Sequence, residues 1–170
     1  LQFDFAPLGM DLRIVGNLPY NISSPLLFHL AEYRSQVRDM LFMLQKEVVD
    51  RMVAEPNSSD YGRLSVMLQY RFIIDHLFDV PPEAFSPAPK VQSAIVRLIP
   101  LPAPTVAVAD IDALNKVVTA AFSQRRKTLK NTLAGMLDLA GFIALDIDPK
   151  ARAENLSVAD FCRICNYLHA

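Results

Sequence analysis

Four short apolar runs constrain the fold of the first hundred residues more than any other feature of the sequence. The runs cover residues 12–16, 39–44, 72–80 and 91–99. Runs of this length and composition are typical of strands in a buried sheet. Apolar residues at helical spacing follow the first run and the second. This alternation predicts an α/β fold with an open, mostly parallel sheet, helices on both faces, and an antiparallel hairpin for the last two strands.

Proline marks the end of this pattern. The segment PPEAFSPAPK, between the last two runs, holds four prolines in ten residues, which excludes regular structure and stiffens the chain. PLPAP at 100–104 then forms a stiff linker. Beyond it, three apolar stripes at helical spacing begin at Leu114, Leu129 and Phe161. The sequence therefore predicts two domains, an α/β domain at 1–103 and a small all-helical domain at 104–170.

Composition and charge exclude several classes of protein. The chain has 170 residues, 52% of them hydrophobic, and a net charge of −1. It is therefore not a disordered tail, and any surface for nucleic acid must be a local patch. No apolar run reaches the ~18 residues of a membrane helix, and the first residues do not resemble a signal peptide. Two cysteines form no disulfide framework, which favours a cytoplasmic location.

Four residues after the first predicted strand suit chemistry on an exocyclic amine. Asn17, Leu18, Pro19 and Tyr20 follow the strand directly, and α/β proteins place their sites at such strand ends. The Asn17 amide oxygen and the Leu18 carbonyl could accept the two hydrogens of an adenine amine and localise its lone pair. Pro19 would point that carbonyl outward, and the Tyr20 ring would stack on an extruded base. A turn that ends in an asparagine and a stiff proline is the alternative interpretation.

Six blocks of sequence resemble one enzyme family in order and spacing. The blocks are NLPYNISSPLLFHL, FMLQKEVVDRMVA, YGRLSVMLQY, AFSPAPKVQSAIVRL, AFSQRRKTLKNTL and RAENLSVADF. They are similar to the KsgA-type small-subunit ribosomal RNA adenine dimethyltransferases, from residue 1 to about 168. The resemblance implies a Rossmann-like methyltransferase sheet followed by a small helical domain. It also implies dimethylation of two adjacent adenosines near the 3′ end of small-subunit rRNA, with S-adenosyl-L-methionine as donor, and a role in ribosome assembly.

The resemblance also implies a second aromatic ring in the base site. In the family, a Phe-x-Pro-x-Pro segment packs its ring against the target base, and FSPAPK at 85–90 matches that segment. Phe85 and Tyr20 are therefore the predicted stacking rings. The two prolines would hold Phe85 in place with little entropy to lose.

A cluster of cations is the candidate RNA-binding surface. Arg125, Arg126, Lys127 and Lys130 fall within six residues, and no acidic residue lies between 113 and 137. Taken alone, this pattern is typical of a solvated helix face. With the resemblance, it predicts contacts to rRNA phosphates. Lys90, Lys150 and Arg152 are candidates to extend the patch.

The chain departs from the family pattern in its cofactor site. The Gly-rich loop and the acidic residue that bind the cofactor are not found, and the five glycines stand singly. We therefore expect residues 1–103 to be the target-adenine side of the methyltransferase domain, lacking its N-terminal cofactor-binding half. The methionine end of the cofactor would still reach Asn17. On this interpretation the chain alone binds no S-adenosyl-L-methionine and is inactive.

Two other functions stay open on the sequence. One is the related large-subunit rRNA adenine methyltransferase of the antibiotic-resistance type, which shares the Asn-Leu-Pro-Tyr motif. The other is a non-catalytic RNA-binding assembly factor. The blocks QRRKTLKNTL and RAENLSVADF resemble the small-subunit type better.

The C-terminal cysteines are a weak candidate for a metal site. Cys162, Cys165 and His169 could begin a zinc site, but no fourth ligand lies nearby and Cys165 falls on an apolar stripe. We therefore expect both cysteines to be buried and structural, with no bound metal.

Overall fold

The computed structural model describes residues 3–19 and 21–169, which form two compact units. The first unit contains the described residues up to Val53 together with Leu68–Pro102. The second contains Ala54–Met67 together with the described residues from Ala103 onward. A segment well before the linker thus belongs with the helical unit. The division of the chain into a methyltransferase part at 1–103 and a helical RNA-binding part at 104–170 stays a prediction.

Four strands form the sheet of the first unit. They are β1 (Leu12–Asn17), β2 (Val37–Gln45), β3 (Phe72–Val80) and β4 (Ser93–Pro100). Their order is β1-β2-β4-β3, with β1 parallel to β2 and β4 antiparallel to both of its neighbours. The predicted β3–β4 hairpin is confirmed. The prediction of a mostly parallel sheet is wrong among the described strands, because β4 returns antiparallel and inserts between β2 and β3.

The two faces of this sheet differ in their packing. On one face, the β2 and β4 side chains are at most 1% exposed: Met40, Phe42, Leu44, Ala94, Val96 and Leu98. On the opposite face, Val15 is 66% exposed and Phe78 is 58% exposed. The accompanying helices are α1 (Ser23–Glu32), α2 (Lys46–Val53) and α3 (Arg63–Gln69). Within the described residues the sheet is therefore covered on one face, not on both faces as the sequence predicted.

Short helices dominate the second unit. They are α4 (Ile111–Ala121), α5 (Leu129–Thr132), α6 (Leu139–Ala144) and α7 (Val158–Leu168). The predicted stripes on α4 and α7 form its core, where the following side chains are fully buried: Leu114, Val117, Val118, Phe161 and Ile164. None of the described helices is long and apolar enough to cross a membrane.

The stripe predicted from Leu129 to Ala140 is divided between two helices. Gly135 has a φ of +81°, a left-handed conformation that a continuing α-helix does not allow. Leu129 and Leu133 are fully buried, whereas Met136, just after the glycine, is 38% exposed. The turn at Gly135 therefore interrupts the helix that the apolar spacing suggested, and Leu137 beyond it is again buried.

Both cysteines lie in the core of the second unit. Cys162 and Cys165 are free thiols, 1% and 3% exposed. Burial raises the pKa of Cys162 to about 12 and also raises the pKa of Cys165. The Nδ1 atom of His169 lies 2.8 Å from the Cys165 carbonyl oxygen. No group of three or more potential metal ligands occurs in the part of the chain that is described.

We expect both thiols to be unreactive in the native protein. The thiolate is the nucleophile, and burial keeps these sulfurs protonated and out of reach of a disulfide reagent such as DTNB. Both should react after unfolding in guanidinium chloride, and the absorbance of the released thiolate gives the count. Rapid reaction of one thiol under native conditions would contradict the buried placement.

A capping box begins helix α7. The Ser157 hydroxyl accepts from the Asp160 amide, and the Asp160 carboxylate accepts from the Ser157 amide at 2.9 Å. Arg163 donates to the same carboxylate at 2.5 Å. Burial raises the pKa of Asp160, but the hydrogen bonds from Arg163 and Ser157 outweigh burial and hold the pKa below its ordinary value.

Stability should depend on this cap and on pH. We expect Ser157→Ala to lower the free energy of unfolding by about 1 kcal/mol at neutral pH, since it removes an N-cap acceptor. Because the folded pKa of Asp160 is lowered, its stabilisation is present above the ordinary aspartate pKa and is lost as pH falls through the folded value. Asp160→Asn should therefore destabilise at neutral pH and much less in strong acid.

Urea unfolding followed by circular dichroism measures both effects. The exposed carboxylate of Asp112 provides the control substitution Asp112→Asn. An Asp160→Asn penalty that stays constant down to strong acid would contradict the assignment.

Candidate functional site

A cleft at one edge of the sheet brings together two distant segments of the chain. It has a volume of about 310 Å³ and is lined by Asn17, Leu18, Pro19, Phe85, Pro87 and Pro89. Strand direction explains this arrangement. β1 ends at Asn17, and the antiparallel β4 begins at the same edge, where Ser93 pairs with Gln45. The connection at 81–92 therefore lies beside the end of β1.

Backbone hydrogen bonds fix the end of β1. Asn17 pairs with Met43 in the parallel ladder, and the Leu18 amide donates to the Met43 carbonyl at 3.1 Å. The Leu18 side chain is 7% exposed, which anchors it in the core. The Ile22 amide donates to the Pro19 carbonyl at 3.2 Å and closes a turn. The end of β1 is thus held in position by the sheet, and the Pro19 carbonyl is held by the Ile22 amide.

Two acceptors in this cleft are available to a ligand. The Asn17 side chain is exposed, and neither its amide nor the Leu18 carbonyl is hydrogen-bonded to another residue that the structure describes. None of the lining residues that the structure describes carries a charged side chain. A neutral, mostly apolar cleft with two acceptors suits a flat, uncharged ring that bears an amino group.

Phe85 supplies an aromatic ring to the same cleft. It is half-buried, and its amide donates to the Pro82 carbonyl at 3.1 Å, which orders the backbone before the ring. The structure thus places Phe85 in one cleft with Asn17, while its stacking role stays a prediction. Tyr20, the other predicted stacking ring, lies outside the described residues.

A larger cleft, of about 500 Å³, lies on the open face of the sheet but contains none of the predicted site residues. Its central charges are paired: Arg13 donates two hydrogen bonds to Asp39, at 2.7 and 2.8 Å. The Arg13 hydrogen bond lowers the pKa of Asp39, and the same bond raises the pKa of Arg13. The larger cleft also carries the exposed guanidinium groups of Arg38 and Arg97. The smaller cleft is the better candidate site, because it brings the predicted site residues together.

Backbone pairing gathers most of the predicted RNA-binding cations in the second unit. The Leu129 amide donates to the Ala151 carbonyl at 2.8 Å, and the Lys130 amide donates to the Pro149 carbonyl at 3.0 Å. These bonds bring the segment that carries Lys150 and Arg152 beside α5. Lys90 lies in the first unit, directly after Pro89, and is exposed.

The cations differ in how far they are engaged by the protein itself. Four of the predicted cations are exposed, and their side chains form neither an ion pair nor a hydrogen bond with any described residue: Arg126, Lys127, Lys130 and Lys150. Arg152 lies 3.8 Å from Glu154, and Arg125 donates to the Ser59 carbonyl. The cluster does not lie on one helix face, the arrangement of which its pattern is typical. Residues 125–127 form a turn between α4 and α5, closed by the Lys127 amide on the Gln124 carbonyl.

One segment of this surface was not among the predicted site residues. It is residues 55–60, which we name the 55–60 loop. The Asn155 side-chain amide donates to the Asn57 side-chain oxygen at 2.8 Å, across 98 residues of sequence. No local pattern could reveal this contact, because both partners are ordinary loop asparagines.

Comparison with known proteins agrees with the motifs. The model of the ribosomal RNA adenine dimethylase family matches residues 1–170. The chain is 66% identical over 170 residues to ribosomal RNA small subunit methyltransferase A of Aromatoleum aromaticum, covering 100% of this chain and 64% of that protein. It is 61% identical over 168 residues to the protein of the same name from Dechloromonas aromatica, covering 99% and 66%. The chain therefore spans less than two thirds of the length of these curated relatives.

Solved structures confirm the fold class. A dimethyladenosine transferase from Plasmodium falciparum matches with a TM-score of 0.74 and 27% identity, over 89% of this chain and 64% of that one. The 23S rRNA methyltransferase ErmE matches with a TM-score of 0.68 over 100% of this chain and 71% of that one, and at 22% identity this shows the fold alone. Since the family model extends over the whole sequence, the chain belongs to the ribosomal RNA adenine dimethylase family.

Proposed function

We propose that this chain supplies the target-base site and an RNA-binding surface of an enzyme that dimethylates two adjacent adenosines near the 3′ end of small-subunit rRNA. The observation that carries the proposal is the cleft that joins the Asn17 motif to Phe85. The relatives named small subunit methyltransferase A support the choice of RNA. Its partners would be small-subunit rRNA and the pre-ribosomal small subunit, in the cytoplasm, with a role in assembly.

The chain's own residues would bind and polarise the acceptor amine. With the adenine beside Phe85, each of the two acceptors, Asn17 Oδ1 and the Leu18 carbonyl, takes one hydrogen of the exocyclic amine. These bonds draw the nitrogen towards a tetrahedral shape and localise its lone pair. None of the described lining residues is titratable, and the proton released after transfer would pass to water. Positioning then supplies much of the rate.

The cofactor is assigned to the whole enzyme and not to this cleft. S-adenosyl-L-methionine would supply a methyl group activated by its sulfonium. The described part of the lining has one polar side chain and no carboxylate, so it does not fit the ribose hydroxyls and the ammonium of that cofactor. We therefore derive no step through it, and the contact of Asn17 with its methionine end stays a prediction.

The second part of the proposal concerns the basic surface. The four cations without protein partners would bind rRNA phosphates, and Arg152 and Lys90 would add contacts of lesser weight. Phosphate contacts supply affinity and register without reading sequence. A local patch of this kind also agrees with a net charge of −1 for the chain.

The small-subunit interpretation is preferred over the two alternatives. The relatives at 66% and 61% identity carry small-subunit names, whereas the large-subunit enzyme ErmE shares 22% identity and thus the fold alone. A purely non-catalytic assembly factor would have no need for free acceptors beside an aromatic ring.

Methylation should depend on Asn17. We suggest a chimera in which this chain replaces the matching part of the Aromatoleum aromaticum relative, so that the remaining third of that protein is present. Asn17→Ala should lower the methylation rate of bacterial small ribosomal subunits by at least ~10²-fold, as expected for one lost transition-state hydrogen bond. Tyr20→Ala should also cripple the chimera, whereas Tyr20→Phe should keep much activity because the ring is what stacks.

Transfer of labelled methyl groups from S-adenosyl-L-methionine measures these rates. Asn21→Ala is the matched control, because Asn21 is exposed, lies four positions away and does not line the cleft. Near-normal turnover by Asn17→Ala would remove the basis for the proposed role.

The salt dependence of binding should report the basic surface. Replacing Arg126, Lys127 and Lys130 by alanine should weaken binding of the chain to bacterial small ribosomal subunits. Each lost phosphate contact should lower the slope of log affinity against log salt by about one. Lys116→Ala, which removes an exposed cation on α4, should leave the slope unchanged. A slope that did not change in the triple variant would show that these cations face solvent only.

A further inference from the structure

Three hydrogen bonds hold the 55–60 loop against the segments that carry the basic residues. The Asn57 amide donates to the Glu154 carbonyl at 2.7 Å, and the Asn155 side chain donates to the Asn57 side chain at 2.8 Å. From the other direction, the Arg125 guanidinium donates to the Ser59 carbonyl. The loop is therefore attached at Ser59 to the turn before α5 and at Asn57 to the segment before α7.

The loop is also ordered from within. The Ser58 amide and hydroxyl both donate to the Glu55 carbonyl, at 3.2 and 2.8 Å. Asn57 has a φ of +72°, a conformation that asparagine tolerates and that such contacts must maintain. Tyr61 then anchors the end of the loop in the core, where it is 2% exposed and lies 6.1 Å from the Phe122 ring. A loop fixed in this way presents a defined surface.

The exposed groups of the loop are hydrogen-bonding groups and not cations. Asn57 and Ser59 are exposed, and the Ser59 hydroxyl has no partner among the residues described. Amide and hydroxyl groups beside a basic cluster suit the ribose 2′-hydroxyls and phosphate oxygens of RNA. The acids at the two ends of the loop, Glu55 and Asp60, are repelled by phosphate, which confines the contact to Asn57–Ser59.

We propose that residues 57–59 are a second RNA-contacting segment, and that Arg125 and Asn155 are positioning residues that hold this segment beside the cations. This inference rests on the proposed binding of rRNA by the second unit. Arg125 then positions the loop, whereas its place in the basic cluster had indicated a phosphate contact. Its guanidinium is committed to a backbone carbonyl of the loop, whereas Lys127, two residues later, has no partner within the described chain.

A double-mutant cycle separates the two roles of Arg125. Binding of the 170-residue chain to bacterial small ribosomal subunits is measured across a range of salt concentrations for Arg125→Ala, Asn155→Ala, Lys127→Ala and their pairs. Arg125→Ala and Asn155→Ala should each weaken binding by about threefold to tenfold, as expected for a few lost hydrogen bonds. The pair should be little weaker than either single variant, since both release the same loop.

Lys127→Ala is the matched control, because it removes the same charge two positions away. The fold-loss of affinity in the Lys127→Ala/Asn155→Ala pair should equal the product of the two single losses. Lys127→Ala should also lower the slope of log affinity against log salt by about one. Arg125→Ala should leave the slope near its original value, as the uncharged Asn155→Ala should. An Arg125→Ala variant that lowers the slope by about one and multiplies with Asn155→Ala would overturn the positioning role.

A substitution in the loop itself tests the contact without disturbing its anchors. Ser59→Glu leaves the backbone carbonyl in place and adds a negative charge on an exposed side chain, so it should weaken RNA binding by about tenfold or more. Ser35→Glu makes the same change at an exposed position before β2 and should have no effect. Equal binding by Ser59→Glu and the original chain would overturn the proposal even if Arg125→Ala proved unstable.

Failure of the inference differs from failure of the proposed function. If the original chain binds small subunits with a steep salt dependence and Ser59→Glu binds equally well, the basic surface stands and the loop contact is wrong. If the original chain shows no salt-dependent binding, the proposed RNA-binding surface and the loop contact are both wrong.

Discussion

The antiparallel insertion of β4 between β2 and β3 is the constraint on which the candidate site depends. The pairing of Gln45 with Ser93 sets the edge at which β4 begins. The Lys46 amide extends this register by donating to the Gln92 carbonyl at 2.9 Å. Because β1 runs parallel to β2, β1 also ends at that edge, at Asn17. A shift of one residue in this register would turn every β4 side chain to the other face and would move the proline-rich connection away from the Asn17 motif.

The second unit also brings distant segments of the chain together, but it does so without a sheet. Its helices are short, and amides at the start of α5 use carbonyls of the segment before α7. In a longer helix these amides would donate to carbonyls of their own helix, but here they donate to carbonyls of another segment. Amides that are buried or half-buried need such a partner. The result is a surface built from three parts of the sequence, two of which carry basic residues.

The sequence predicted the elements better than their arrangement. The apolar runs located β1 to β4, and the stripes on α4 and α7 identified the core of the second unit, because burial on one face leaves a periodic signal. The division of the Leu129 stripe was missed because it depends on the left-handed backbone at Gly135. The pairing order of β4 and the contacts of Asn57 and Arg125 join distant parts of the chain, and no local pattern encodes them. For the site, the motif indicated Asn17 and the family resemblance indicated Phe85, whereas the strand register that brings the two into one cleft is visible only in the tertiary structure.

The open face of the sheet has a consequence for how the chain behaves in concentrated solution. Within the described residues β1 has a neighbour on one side only, and Val15 presents an apolar surface next to that edge. Strands of this kind add further strands from other molecules and so promote self-association. Arg13 interrupts the edge with a guanidinium whose side chain is 59% exposed, but Asp39 accepts two of its hydrogen bonds and offsets its charge. The ion pair between Arg13 and Asp39 therefore weakens a charge that keeps neighbouring molecules away from this edge, so self-association through β1 depends on how firmly Asp39 holds Arg13.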